Sequence, residues 1–107
     1  MADTNMREKL DKIIEAYEEL QQKMGDPDVI ANQKEYNRLA KEYANQGALV
    51  KQARAFVRAE DDLAEAKEML DDPDMKEFAQ EEIARIEAEL PSIEEEIKFM
   101  LDVLVQL

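Results

Sequence analysis

The chain has 107 residues, of which 27 are acidic and 14 are basic, so its net charge is −13. It contains no His and no Cys, which excludes zinc fingers, His-based catalytic triads, thiol nucleophiles and disulfide frameworks. The length suits one domain, no apolar run approaches the roughly 18 residues of a membrane span, and no signal peptide is recognisable. We therefore expect a single domain spanning residues 1–107, in a cytoplasmic protein without enzymatic activity, cofactor or metal.

The first predicted helix carries an apolar stripe with the spacing of a coiled-coil seam. Asn5 and Glu8 resemble a capping box at its start, and Gly25 stands where a glycine with positive φ commonly ends a helix. This pattern predicts a helix over 5–24 and then a turn over 26–28. The stripe residues follow one another in alternating steps of four and three: Met6, Leu10, Ile13, Tyr17, Leu20 and Met24.

The second predicted helix is long, and its apolar stripe drifts sideways because 3.6 residues per turn does not divide seven. Asn32 and Glu35 form a second pair that resembles a capping box. Gly47 interrupts the pattern at a cost of about 1 kcal/mol relative to Ala, so a break there is the alternative to one helix over 33–71. The stripe begins with Tyr36, Leu39, Tyr43, Val50, Ala53 and Val57 and passes to Leu49, Phe56, Leu63 and Leu70.

The third predicted helix starts at a turn that contains Pro73, which suits a first helical turn. Pro91 lies off its apolar stripe, removes one amide donor and clashes with the carbonyl of Glu87. We therefore expect a helix over 73–104 that is kinked near 87–91 but continues. The stripe consists of Ala79, Ile83, Ile86, Leu90, Ile93, Ile97, Met100 and Leu104.

The three stripes predict an all-α fold, an antiparallel three-helix bundle or coiled coil with one short and two long helices. The second and third helices are longer than the first, so they should extend beyond it with apolar positions that are less covered. Such an extension would be a partner site or a dimer site.

Charge is distributed unevenly along the chain. Residues 1–59 hold 10 acids and 10 bases, whereas residues 60–107 hold 17 acids and 4 bases. The acidic half repels nucleic-acid phosphate and anionic lipid, which argues against DNA and membrane partners. In the neutral half, helical spacing groups two basic trios, which are Lys34, Arg38 and Lys41, then Lys51, Arg54 and Arg58.

Each basic trio has two interpretations. It is a solvated face with intrahelical pairs such as Arg38–Glu42, or it is a stripe that binds RNA or an acidic partner. On the second interpretation, the candidate contact residues are Arg38, Lys41, Lys51, Arg54 and Arg58.

The many carboxylates lack the patterns of known metal and catalytic sites. A helical di-metal site needs Glu-x-x-His, and a calcium loop needs a central Gly with a Glu at its twelfth position. Gly25 and Gly47 are too far apart for a phosphate loop. The sequence therefore predicts no catalytic, cofactor-binding or metal-binding residue.

Four segments carry a specific order of residues: DPDVIANQ at 26–33, LAKEYA at 39–44, AEDDLAEA at 59–66 and DDPDMKEFAQEE at 71–82. With Leu90-Pro91 and the following IEEEI at 93–97, they resemble the N-terminal domain of bacterial peptide chain release factor 1. The order and spacing of the segments carry this resemblance from about residue 7 to residue 101.

The resemblance implies a helical ribosome-binding and positioning domain of a translation termination factor. Its implied partners are the ribosome near the stalk base, through ribosomal RNA or protein, and a translational GTPase. In that family, a Pro-x-Thr tripeptide reads stop codons and Gly-Gly-Gln promotes peptidyl-tRNA hydrolysis. Both motifs are absent from this sequence, so we expect that this chain alone does not release peptide.

One alternative is a stand-alone protein, either a homodimeric helical adaptor or a decoy that occupies the factor's site. Residues 102–107 depart from the Leu-rich, Pro-Asp-containing continuation of the family. This departure leaves open a truncated, frameshifted or naturally short protein.

Overall fold

The computed structural model describes residues 4–106, and the side chains of residues 6–104. This part of the chain forms helices and turns and contains no strand, so the predicted all-α class is confirmed. The backbone clusters into two compact units, a first unit of Met1–Ala53 and a second unit of Arg54–Leu107. The helices are α1 (Thr4–Met24), α2 (Pro27–Ala31), α3 (Gln33–Met69) and α4 (Lys76–Gln106).

Helix α1 ends at Met24, the residue that the sequence predicts. The backbone geometry at this end differs from the prediction. Gly25 does not have the expected positive φ. Its amide donates to the carbonyl of Gln22 at 3.0 Å, and the amide of Asp26 donates to the carbonyl of Lys23 at 3.1 Å. These bonds span three residues, so the helix ends by tightening into a 3₁₀ turn rather than by a left-handed glycine.

The predicted turn over 26–28 is the start of a short helix. The Asp26 carboxylate accepts a hydrogen bond from the Asp28 amide at 2.9 Å, as an N-terminal cap does. Pro27 follows in the first turn of α2, where the missing amide breaks no hydrogen bond. The prediction of a plain turn here is wrong because Asp-Pro supplies both a cap and a preset φ angle.

One half of the predicted capping box forms at the start of α3. The Glu35 amide donates to Asn32 Oδ1 at 3.2 Å. The Asn32 amide, however, donates to the carbonyl of Val29 at 3.0 Å, and the Glu35 side chain pairs with Arg38 instead. The corresponding prediction for Asn5 lies outside the described side chains.

Helix α3 runs through Gly47 without a break, so the prediction of one long helix is confirmed. It ends at Met69 rather than at residue 71. The amides of the next three residues donate to carbonyls three positions earlier, which is the tightened geometry of a helix end.

Helix α4 begins at Lys76, three residues later than predicted. Asp72 holds the preceding turn, because its carboxylate accepts from the Asp74 amide at 2.9 Å and its carbonyl accepts from the Met75 amide at 3.0 Å. Pro73 therefore lies in an Asp-stabilised turn and not in the first helical turn. Helix α4 continues through Pro91, as expected; the kink there stays a prediction.

Each unit has an apolar core, and its buried residues belong to the predicted stripes except for Ala66. No polar or charged side chain is buried in the part of the chain whose side chains are described. The buried residues are Met6, Leu10, Leu20, Leu39, Leu49, Val50 and Ala53 in the first unit, and Phe56, Ala66, Ala79, Ile86 and Ile97 in the second.

Candidate functional site

All the predicted contact residues lie on α3 with exposed side chains, but they do not belong to one unit. The structure divides them at the boundary after Ala53, so the trio predicted around Lys51 is split. The first unit holds Arg38, Lys41 and Lys51, and the second unit holds Arg54 and Arg58.

The first unit carries a basic face on α3, which we define as Lys34, Asn37, Arg38, Lys41 and Asn45. These residues are all exposed, and their spacing of three and four residues brings them to one side of the helix. Burial of the apolar stripe in the core of the first unit turns this side toward solvent.

Arg38 is neutralised by its own helix. Its Nη2 and Nε atoms donate to the two carboxylate oxygens of Glu35, at 2.6 and 3.2 Å. Its Nη1 lies 3.8 Å from Glu42 Oε2, which confirms the predicted Arg38–Glu42 pair. The hydrogen bond between Arg38 and Glu35 lowers the pKa of Glu35 and raises the pKa of Arg38. Arg38 is therefore a weaker candidate for a phosphate contact than its exposure suggests.

Lys34 and Lys41 are the available cations of this face. Neither forms an ion pair with any of the described residues. The positions three and four residues from Lys41 hold Asn, Arg and Ala and no carboxylate, so the helix itself offers no counter-ion. The two lysines are separated by two turns, about 10 Å along the axis. Such a pair suits two phosphate groups of a folded RNA or two carboxylates of a protein.

The remaining candidate cations differ in their surroundings. Lys51 has no carboxylate three or four residues away in the sequence. Arg58 is 85% exposed in its side chain and reaches Asp62 only at 4.0 Å. Arg54 is exposed and has a partner of its own.

The described residues contain no group of His, Asp and Glu that could hold a metal ion. None of the described helices is both long enough and apolar enough to cross a membrane.

Many acidic side chains form ion pairs along the helix surface. Arg85 is the centre of one such network, with Glu82 at 2.8 Å and Glu89 at 3.1 Å.

Sequence reasoning missed an apolar surface in the second unit. Phe99 is 66% exposed and Val103 is 43% exposed, and they lie one turn apart on α4. A signal was present, because Phe99 falls between the stripe residues Ile97 and Met100 and so points away from the seam. Phe78 and Ile30 are also exposed, at 51% and 56%.

The sequence of the chain matches a protein family and several known proteins. The PCRF domain family matches residues 13–103. The chain is 42% identical over 99 residues to peptide chain release factor 1 of Clostridium botulinum strain 657, which covers 90% of the chain and 28% of that protein. It is 41% identical over 105 residues to peptide chain release factor 1 of Bacteroides thetaiotaomicron, covering 94% and 28%. No solved structure matches the chain.

The family match extends from α1 into α4 and takes in the whole basic face. The chain spans little more than a quarter of the length of the curated relatives, 28% in each case. The chain therefore belongs to the PCRF domain family, and it is similar to the N-terminal region of peptide chain release factor 1.

Proposed function

We propose that this chain is a ribosome-binding and positioning domain of a translation termination factor that acts in the cytoplasm. The observation that carries the proposal is the family match over residues 13–103, together with relatives named peptide chain release factor 1. The proposed site on the ribosome is the stalk-base region, with ribosomal RNA or protein as the contact and a translational GTPase as a neighbouring partner.

The basic face of α3 supports a polyanionic contact. Lys34 and Lys41 are exposed and lack carboxylate partners among the described residues, so binding would not first have to break an ion pair. Phosphate binding by lysines gains free energy mainly through the release of counterions. This contact would therefore weaken steeply as salt increases.

We assign ribosome contacts to the five cations predicted from the sequence, which are Arg38, Lys41, Lys51, Arg54 and Arg58, and add Lys34 of the basic face to them. Lys41 and Lys51 should contribute most, because their helical neighbours hold no acids. Arg38 should contribute least, because Glu35 and Glu42 already compensate its charge. We also propose that the helices form the single antiparallel bundle that the heptad stripes favour.

We propose that the chain does not hydrolyse peptidyl-tRNA by itself. The sequence has no Gly-Gly pair and no Pro-x-Thr tripeptide. Release would then require parts found in the longer relatives. Peptide release by the purified chain on programmed ribosomes would overturn this part of the proposal.

The test is pelleting of the purified chain with bacterial 70S ribosomes at low and near-physiological salt, with full-length peptide chain release factor 1 as competitor. We expect saturable binding that the competitor displaces. The variant Lys34→Gln/Lys41→Gln should bind more weakly. A plot of the logarithm of its binding constant against the logarithm of the salt concentration should be shallower, by roughly one in slope for each phosphate contact that is lost.

A matched control is Lys9→Gln/Lys12→Gln, which removes the same charge from two exposed lysines of α1. It should bind as the parent chain does. Equal weakening in both double variants would indicate attraction without a defined face. Absence of competed binding would overturn the proposed function.

A further inference from the structure

The second unit presents an apolar pair on an acidic surface. Phe99 and Val103 are exposed one turn apart on α4, at 66% and 43%. The positions one turn from Phe99 are otherwise acidic and exposed, and they are Glu95, Glu96 and Asp102. We define these five residues as the Phe99 face.

Exposure of this kind is costly in water, because an aromatic side chain gains free energy when it is buried. The core does not need Phe99, since the neighbouring stripe residue Ile97 is already fully buried. The Phe99 face therefore has the composition of a contact surface, an apolar centre with a charged rim.

The charge of the second unit indicates which class of partner can bind the Phe99 face. The second unit holds 17 acids and 6 bases, a net charge of −11. The nearest lysine, Lys98, is bonded to Glu94 at 3.1 Å and does not neutralise the rim. RNA, anionic lipid and a second copy of this chain all carry the same sign of charge and would be repelled.

We propose that the Phe99 face docks a basic protein segment, one that places an apolar side chain against Phe99 and Val103 and Lys or Arg against the three carboxylates. This contact lies in the other unit from the basic face of α3, and the inference does not rest on the proposed ribosome function. The polypeptide would supply two surfaces of opposite charge for two kinds of partner.

The test uses the intact chain and a synthetic amphipathic peptide of Leu and Lys as the probe, with affinity measured by fluorescence anisotropy. Two control peptides replace all Lys by Gln or all Leu by Ser. We expect the parent peptide to bind, and both control peptides to bind at least tenfold more weakly, because the face needs charge and apolar contact together.

The decisive variant is Phe99→Ser/Val103→Ser, which should lower affinity for the probe at least tenfold. Phe78→Ser is the matched control, because Phe78 is also exposed on α4 among acids but has no exposed apolar neighbour one turn away. It should change affinity less than twofold. Equal effects of the two variants would overturn the proposal.

The rim is tested by Glu95→Gln/Glu96→Gln/Asp102→Asn against Asp74→Asn/Glu77→Gln/Glu81→Gln, which removes the same charge near Phe78. We expect only the first triple variant to weaken binding and to flatten its salt dependence. Amide chemical shifts should change within 95–104 on titration with the probe. Shifts spread over all acidic segments, or a concentration-dependent dimer that Phe99→Ser abolishes, would overturn the assignment of a basic partner.

Discussion

Tyr17 of α1 and Tyr43 of α3 stack face to face, with ring centroids 4.4 Å apart and planes inclined by 13°. Each residue belongs to the apolar stripe of its own helix, so the stack joins two seams within the first unit. Gly47 lies one turn further along α3, near the hydroxyl group of Tyr17. A Cβ atom at Gly47 would be 3.6 Å from the Tyr17 hydroxyl oxygen. Three residues thus make one local packing arrangement.

The stack should appear as coupling in a double-mutant cycle. We expect Tyr17→Leu and Tyr43→Leu to interact by about 0.5–1.5 kcal/mol in the free energy of unfolding, because either substitution removes the same ring contact. Urea denaturation of the four proteins measures it. Tyr36 stacks on no ring in the described part of the chain, so a cycle of Tyr17→Leu with Tyr36→Leu should be additive. Additivity in the first cycle would contradict the stack.

Gly47→Ala should stabilise the protein by about 1 kcal/mol. The residue lies inside α3, where Gly costs about that much relative to Ala, and the new methyl group would make an ordinary contact at 3.6 Å. Thermal or urea unfolding would measure the gain. A decrease in stability would mean that the Tyr17 ring approaches more closely than the structure has it.

Gly25→Ala is a separate test of the end of α1. Because Gly25 does not have positive φ, the substitution should change stability by no more than about 0.5 kcal/mol. A left-handed glycine, as the sequence suggested, would make the same substitution cost about 1–2 kcal/mol. The two expectations are far enough apart for equilibrium unfolding to separate them.

Asn32→Ala should destabilise the protein by about 1 kcal/mol, since it removes the side chain that caps α3. Asn32→Asp keeps an acceptor for the Glu35 amide and should retain most of the parent stability. Asn37→Ala is the control, because Asn37 is an exposed residue inside the same helix and Ala favours helix there. A similar destabilisation in both alanine variants would argue against a specific cap.

Two surface carboxylates should make stability depend on pH in a defined direction. The hydrogen bond from Arg38 lowers the pKa of Glu35, and the hydrogen bond from Arg85 lowers the pKa of Glu82, each from an ordinary value of 4.5. A lowered pKa in the folded state means that the unfolded chain binds more protons. The stabilisation is therefore complete above the unfolded pKa and is lost as pH falls through the folded one.

The measurement compares Glu35→Gln and Glu82→Gln with the parent chain at neutral pH and at about pH 3, below the ordinary carboxyl value. The difference in stability should shrink in acid. Carboxyl carbon titration by NMR should show the pKa of Glu35 rising toward its ordinary value in Arg38→Gln. An unchanged pKa of Glu35 in that variant would mean that the ion pair with Arg38 is not what lowers it.

Sequence periodicity predicted the long helices well, because the apolar residues that recur at helical spacing are the residues that the folded helix buries. Leu39 and Val50 in the first unit, and Ile86 and Ile97 in the second, are buried as their stripes require. The cap at Asn32 was also predictable, since it depends on residues within one turn. Gly47 was a weak signal for a break, because burial of a long helix outweighs a cost of about 1 kcal/mol.

The errors arose where one short sequence fits two local structures. Asp26-Pro27 begins a helix, whereas Asp72-Pro73 forms a turn before one, although both read as Asp-Pro followed by Asp. Arg38 is not one of these errors, because its place in a basic trio favours a partner contact that stays a prediction. Its strongest contact is with Glu35, three residues earlier, and only side-chain geometry distinguishes that pair from a free cation.

The sequence by itself determined the helical class, the length of α3, the acidic excess of the second half and the family. All of these depend on residue order and on spacing along one chain, so local chemistry is enough to specify them. Tertiary structure alone decided that Tyr17 of α1 meets Tyr43 of α3, and that the basic trio of Lys51, Arg54 and Arg58 is divided between the two units. Burial and pairing depend on what approaches a side chain from elsewhere in the fold, and periodicity along one helix does not contain that information.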